Sequence, residues 1–426
     1  MPIEVFGEIV RIVVEEDHTA LIPLLHVCRR WRTVIESTPC LWAKLVLTSR
    51  RPKPKAKLWI ERTNGDLKEL VVEMGASFSS NWPGESLDGL QWDNLLCIRS
   101  HRWDFFPYLR SIGKEAAMAN WIGMVVDSGG FIPLPRNLSG PFSLHSLSLN
   151  RTNVDPNRTN FFDLFNVLRS CTIRRCYATT SLWASVLKAN PLLERLELQS
   201  VMSRDSTPLP NVLELDHLTT LEATSTVPID IFTAKMPHLR NLRLSLPCYN
   251  TDVFIRHLID TLVGGLIELK FHGCRLNDST NLIFLLRLSP NLQVLEFSGI
   301  TIGVASLINA LAAHYTPPPS SEHRLLCDEP PSDPPPVLCP KLTHVNFSGC
   351  PEVQAGLLMR LIKSRLIGDQ SVDLQTTQIE VSKIESLIID SCPNVEKEWV
   401  KRMEELVSHV SCCYTTKAMT RGRVLV

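Results

Sequence analysis

The apolar residues of this 426-residue chain follow one period at the start and another over most of the remainder. Near the N-terminus, Phe6, Ile9, Val10 and Val13 are spaced as one stripe of a 3.6-residue helix, and Leu21, Leu24, Cys28, Trp31 and Ile35 as a second. Glu15-Glu16-Asp17-His18 is the polar break between them. Pro2 suits a helix start. Ser37-Thr38-Pro39 ends the second helix, because the residue ahead of a proline is driven out of the α region. Helices this short bury little surface alone, so the segment must pack on the rest of the chain or on a partner.

Further along, the pattern becomes Leu-x-x-Leu-x-Leu. It reads Leu67-x-x-Leu70-x-Val72, Leu144-x-x-Leu147-x-Leu149, Leu193-x-x-Leu196-x-Leu198, Leu218-x-x-Leu221-x-Ala223 and Leu239-x-x-Leu242-x-Leu244. Later copies end in Phe271, Phe297, Phe347 and Ile389, several with a cysteine three residues on: Cys274, Cys350 and Cys392, as in the weaker copy that ends at Cys176. Alternation of this kind makes a short strand with its leucines on one side. Helical pieces at 182–187 and 282–288 lie between strands, and Pro191, Pro237 and Pro290 restart the chain as extended. One strand and one helix cannot cover their shared apolar face, so such units stack. Copies between Leu144 and Leu292 begin about 25 residues apart, and the pattern resembles leucine-rich repeats, whose period is roughly 20–29.

The expected fold class is therefore α/β: a small N-terminal helical module, then a curved solenoid of short parallel strands and helices. The expected bounds are 1–48 for the module, 49–57 for a basic linker, 58–410 for the solenoid and 411–426 for a flexible tail. Within the solenoid, 316–340 is a proline-rich insertion, and Val395, Trp399, Met403, Leu406 and Val410 predict a capping helix at about 395–410. The repeat is weakest over 75–140, with one poor copy near Trp92 and Leu95.

The module itself resembles an F-box. That family opens with Leu-Pro-x-Glu-(Val/Ile/Leu), passes an acidic break and reaches Val-Cys-(Arg/Lys)-x-Trp; here these are Pro2, Glu4-Val5, Asp17 and Val27-Cys28-Arg29-Arg30-Trp31. The trailing Ser37-Thr38-Pro39-x-Leu41-Trp42 is similar to the form common in fungal, especially mushroom, F-box proteins. Met1 replaces the family's leucine, and a missing upstream exon is one reading of an F-box that starts there. The resemblance implies docking on a Skp-type adaptor and, through it, a cullin, with the repeats presenting a protein target for ubiquitination. The adaptor-facing side chains it implies are Pro2, Ile3, Ile9, Leu24, Val27 and Cys28, with Trp31 bridging interface and interior. The alternative is a non-catalytic repeat scaffold that works outside ubiquitin transfer.

In a repeat of this type the residues beside the buried leucines face outward. The candidate target contacts are Arg195, Glu197, Asn241, Arg243, Glu268, Lys270, His272, Glu296, His344 and Asn346. They form a polar wall of mixed sign, suited to a protein ligand. The 44 basic and 44 acidic side chains cancel, which argues against a broad nucleic-acid footprint. No apolar run reaches the roughly 20 residues of a membrane span, and Glu4, Glu8 and Arg11 interrupt any cleavable leader, so a cytoplasmic or nuclear location is expected. The 13 cysteines contain no Cys-x-x-Cys pair and no zinc-finger spacing, so neither a metal nor a cofactor is expected. No phosphate-binding loop, nucleophile elbow or zinc-protease motif occurs, so an enzyme is not expected either.

Overall fold

The computed structural model describes residues 3–17, 20–48, 51–73, 84–100, 108–109, 111–127, 143–152, 166–178, 180–203, 213–225, 234–247, 251–263, 265–312, 337–367 and 381–413. The chain forms two compact units, Met1–Leu193 with Val201–Pro208, and Glu194–Ser200 with Leu209–Val426.

The first unit opens with helices α1 (Ile3–Glu16), α2 (Leu21–Leu25) and α3 (Arg29–Glu36). The second apolar stripe is thus split between two helices. Cys28 is extended, with φ −160°, and the chain turns there so that Leu21 and Ile35 reach the interior while Cys28 stays exposed. A 3-10 turn, Pro39–Trp42, leads into strand β1 (Lys44–Thr48) and helix α4 (Pro52–Thr63). Trp42 is buried, donates from Nε1 to the Ile35 carbonyl at 2.8 Å, and meets Trp59 of α4 edge-on at 4.8 Å. Trp59 donates in turn to the Lys44 carbonyl at 2.9 Å. Two indoles therefore tie the N-terminal helices to the first strand and its helix.

Most of the stretch expected as a basic linker belongs to α4. Pro52 and Pro54 lie in its first turn, where backbone N–H groups have no helical partner to lose. Ala56, Trp59 and Ile60 give the helix an apolar face that is buried. After α4 come β2 (Glu69–Glu73), β3 (Cys97–Ser100), β4 (Gly123–Asp127), β5 (Ser146–Asn150) and β6 (Ser170–Arg174), and β1 to β6 pair in parallel in chain order. Strands β3 and β4 fall where the repeat reads poorly, because Ile98, Met124 and Val126 take the places of leucine. Beyond β6 lie β7 (Tyr177–Ala178) and helix α5 (Thr180–Ala189).

The second unit has strands β8 (Arg195–Gln199), β10 (Thr220–Thr224), β11 (Asn241–Ser245), β12 (Glu268–His272), β13 (Val294–Ser298), β14 (His344–Asn346), β15 (Ser386–Ile388) and β16 (His409–Ser411), again parallel and in chain order. The short β9 (Met202–Ser203) pairs with β7 in the first unit. Helices α6 (Thr251–Thr261), α7 (Thr280–Arg287), α8 (Val304–Ala312), α9 (Ala355–Ile367) and α10 (Lys397–Glu404) alternate with the later strands. The expected capping helix is shorter than its apolar pattern, since Val410 lies in β16. Cys413 donates its N–H to Asp390 at 2.6 Å, so the segment after Ser411 begins in an ordered contact; residues 414–426 lie outside the described chain, as do 316–336 of the proline-rich insertion.

Three devices recur. Registered leucines and phenylalanines stack from strand to strand, as in Phe271, Phe297 and Phe347, with centroids 5.6 and 6.3 Å apart. The turn into a strand closes when the N–H of Leu193, Leu239, Leu292 or Leu342 reaches the carbonyl three residues back, 3.1–3.2 Å away. Asn190 and Ser289 sit at that turn and bond both ways: Asn190 accepts from the Leu168 N–H and donates to the Val186 carbonyl, and Ser289 accepts from Leu266 and donates to Leu285. At the exit, a residue of positive φ donates its N–H to a carbonyl at or just past the end of the next strand, as Gly273 does to Ser298 at 2.6 Å and Gly299 to Ser348 at 2.8 Å. Cysteines finish the turn. Cys176, Cys274, Cys350 and Cys392 are buried and donate Sγ–H to carbonyls of the preceding repeat, and burial pushes each thiol pKa up.

Candidate functional site

Two surfaces stand out. The first covers α1 and the segment through Val27. An amphipathic helix normally hides its apolar stripe. Here α1 hides Phe6 and Val10 but leaves Val5, Ile9, Ile12 and Val13 in solvent, and Ile22 and Val27 are also exposed. Of the sixteen exposed large apolar side chains among the described residues, these six lie within residues 5–27. Singly exposed apolar residues need no explanation, whereas a cluster this dense sets α1 and the turn after it apart from the rest of the described surface.

Of the adaptor-facing candidates, Ile9 (46% exposed), Val27 (57%) and Cys28 belong to this surface. Leu24 is half-buried at its edge. Trp31 is half-buried and packs at a tilt against Phe6, centroids 4.7 Å apart, so part of its surface serves internal packing. Ile3 begins α1, and Pro2 lies outside the described residues. Reading Phe6, Ile9, Val10 and Val13 as one stripe missed Val5 and Ile12. The spacing of 5, 9 and 12 would have found a second stripe.

The second surface is the outward face of β8 to β14. Parallel register places Glu197, Glu222, Arg243, Lys270, Glu296 and Asn346 in one row, a strand apart from each other. Neighbours in that row pair. Arg243 lies 3.6 Å from Glu222, and Lys270 lies 3.1 Å from Glu296 and 2.5 Å from Glu268 on its own strand. Burial pulls the Lys270 pKa down, but hydrogen bonds to Glu268 and Glu296 outweigh it and leave the pKa raised. His272 closes the cluster with Nε2 3.8 Å from Glu296, and burial, then Arg243, hold its pKa below 6.5 against the pull of Glu296. Arg195, Asn241 and His344 lie along the neighbouring row, in register through Thr220, Glu268 and Val294. All ten target-contact candidates therefore share one strand face of the second unit.

The described residues define an α/β repeat scaffold whose N-terminal helices carry a cluster of exposed apolar side chains. No family model matches the chain, and no curated protein matches it. Among solved structures, the Rad7 and Elc1 complex from yeast is similar at 13% identity over 88% of this chain and 83% of that one, with a TM-score of 0.44. A protein from Bacteroides fragilis is similar at 10% identity over 86% and 73%, with a TM-score of 0.29. Similarity this low assigns neither partner nor activity. No described helix is long and apolar enough to cross a membrane.

Proposed function

We propose that this chain is a substrate receptor of a cullin-based ubiquitin ligase. Residues 1–48 act as an F-box that docks on a Skp-type adaptor, and the repeats hold a protein target on the outward strand face. The observation that supports this reading is the exposed apolar cluster of α1 and the following turn, which falls in the segment that resembles an F-box at Pro2, Glu4-Val5, Asp17 and Val27-Cys28-Arg29-Arg30-Trp31. In this role the chain makes no bonds. It raises the effective concentration of a target lysine near a charged conjugating enzyme, the same gain that enzymes draw from alignment. The mixed-charge row from Glu197 to Asn346, with Arg195, Asn241, Glu268, His272 and His344 around it, is the proposed target contact. Its side chains already pair with each other, so a target must match the pattern of charge to gain from it.

The test is co-expression with a Skp-type adaptor followed by size exclusion, comparing wild type with Ile9→Asp and Val27→Asp. Both sites are exposed, so the substitutions leave the fold intact while placing a charge in the contact. We expect a one-to-one complex with wild type and its loss in both variants, since a well-placed apolar anchor contributes about 2 kcal/mol or more. A folded wild-type chain that forms no complex would sink the receptor reading and leave the scaffold.

A further inference from the structure

A cavity of about 470 Å³ opens in the second unit where α9 and α10 begin. Its volume lies within the roughly 300–1,000 Å³ of sites that take ligands. Gln354 and Gly356, at the start of α9, line one side, and Pro393, Asn394, Glu396 and Trp399 line the other. Trp399 is half-buried and the other five are exposed.

The walls are held in place. Val353 and Val395, next to Gln354 and Asn394 in the chain, are buried. Asn394 donates from Nδ2 to the Pro351 carbonyl at 2.6 Å, and the backbones of Gln354 and Asn394 bridge in parallel. The Arg402 guanidinium lies 5.0 Å over the Trp399 ring. A ligand therefore meets a preformed site and does not have to order it.

What the walls leave unused defines the ligand. Neither the Trp399 Nε1–H nor the Gln354 carboxamide has a hydrogen-bond partner among the described residues. The indole and the Pro393 ring set flat apolar surface beside these donors. A Cβ at Gly356 would meet nothing within 4 Å, so a peptide backbone can approach closely there. Glu396 is the only charged residue in the lining, and Lys397 beside it and Arg402 on the indole offset it, so the site favours neither sign of charge. A proline-rich segment has the matching chemistry. In the polyproline conformation it is already extended, makes no internal hydrogen bonds, leaves its carbonyls free to accept, and packs its rings on aromatic surface.

We propose that this cavity binds an extended, proline-rich segment of a partner protein, with the Trp399 indole packing a proline ring and Trp399 Nε1 and Gln354 Nε2 donating to peptide carbonyls. The site is separate from both surfaces described above and does not rest on the receptor reading.

Fluorescence anisotropy of the full chain with a labelled decaproline peptide tests it, against a glycine-serine peptide of equal length. Saturable binding of decaproline alone is expected. Trp399→Phe keeps a ring but removes the donor, and should weaken binding about fivefold, the size of one hydrogen bond. Gly356→Leu fills the cavity from a helical position and should abolish binding, whereas Gly356→Ala leaves most of it open and should bind as wild type does. Wild-type affinity in both Trp399→Phe and Gly356→Leu would overturn the proposal, as would equal binding of the two peptides or no saturable binding. Binding that appears only once Pro317–Pro319 and Pro334–Pro336 are replaced by serine would overturn it in favour of the chain's own proline-rich segment.

Discussion

Arg365 shows how one residue carries a local architecture. It is buried on α9 and donates to the Cys339 carbonyl at 2.8 Å and the Leu338 carbonyl at 2.7 Å, where the chain re-enters the repeat before β14. Burial pulls its pKa down to about 10. At neutral pH it remains charged in the folded and unfolded states alike, so it adds no pH dependence there. Arg365→Ala should cost about 3 kcal/mol or more, from a cavity and two carbonyls left without donors. Arg365→Met should cost less, about 1–2 kcal/mol, because it fills the space and removes a buried charge. Urea unfolding of the two variants checks the order. His272 behaves differently. Its folded pKa lies below its ordinary 6.5, so the unfolded chain takes up its proton first as pH falls. Stability from this residue is complete above pH 6.5 and declines as pH drops towards the folded value. His272→Asn should flatten that decline in urea titrations between about pH 5 and 7.5, and an unchanged slope would exclude His272 as its source.

At the scale of an element, the turns set the repeat more than the strands do. Gly265 and Gly273 separate two causes of the same requirement. Both have positive φ, but a Cβ at Gly265 would fall 2.4 Å from the Leu288 carbonyl oxygen, whereas one at Gly273 meets nothing within 4 Å. Gly273→Ala should therefore cost only backbone strain, on the order of 1 kcal/mol, and Gly265→Ala several times more. Similar melting temperatures for the two variants would contradict this. Strands with leucine in place were legible, and so was the helix-proline-strand join. The strand at Cys97–Ser100 was legible only as the poor copy near Leu95, and that at Gly123–Asp127 was not, because Ile, Met and Val fill the interior as well as Leu does without the spacing that identifies a repeat. Helix α4 was hidden by its prolines and lysines, which suggest a linker unless the first-turn exemption for proline is applied.

At the scale of the whole molecule, net charge and exposed apolar area pull in one direction. A chain with no net charge has little electrostatic protection against association, and the first helix offers a dense apolar surface. The purified chain should self-associate with concentration, and Ile9→Asp or Val27→Asp should restore a monodisperse state without moving the melting temperature. Light scattering across a concentration series decides it. A wild-type chain that is already monodisperse would mean this surface is less adhesive than its composition suggests.

The sequence by itself determined the period of the repeat, the alternation that makes its strands, the turn cysteines and the helical character of the N-terminal segment. Each follows from local spacing, because a period of two or of 3.6 residues fixes which side chains share a face. Only the tertiary structure decided which apolar stripe of α1 faces solvent, which charges on neighbouring strands pair, and that of the two arginines on α9 it is Arg365 that is buried. Those depend on register and packing between segments as far apart as Leu338 and Arg365, and no short-range pattern records which of two apolar faces the rest of the chain will cover.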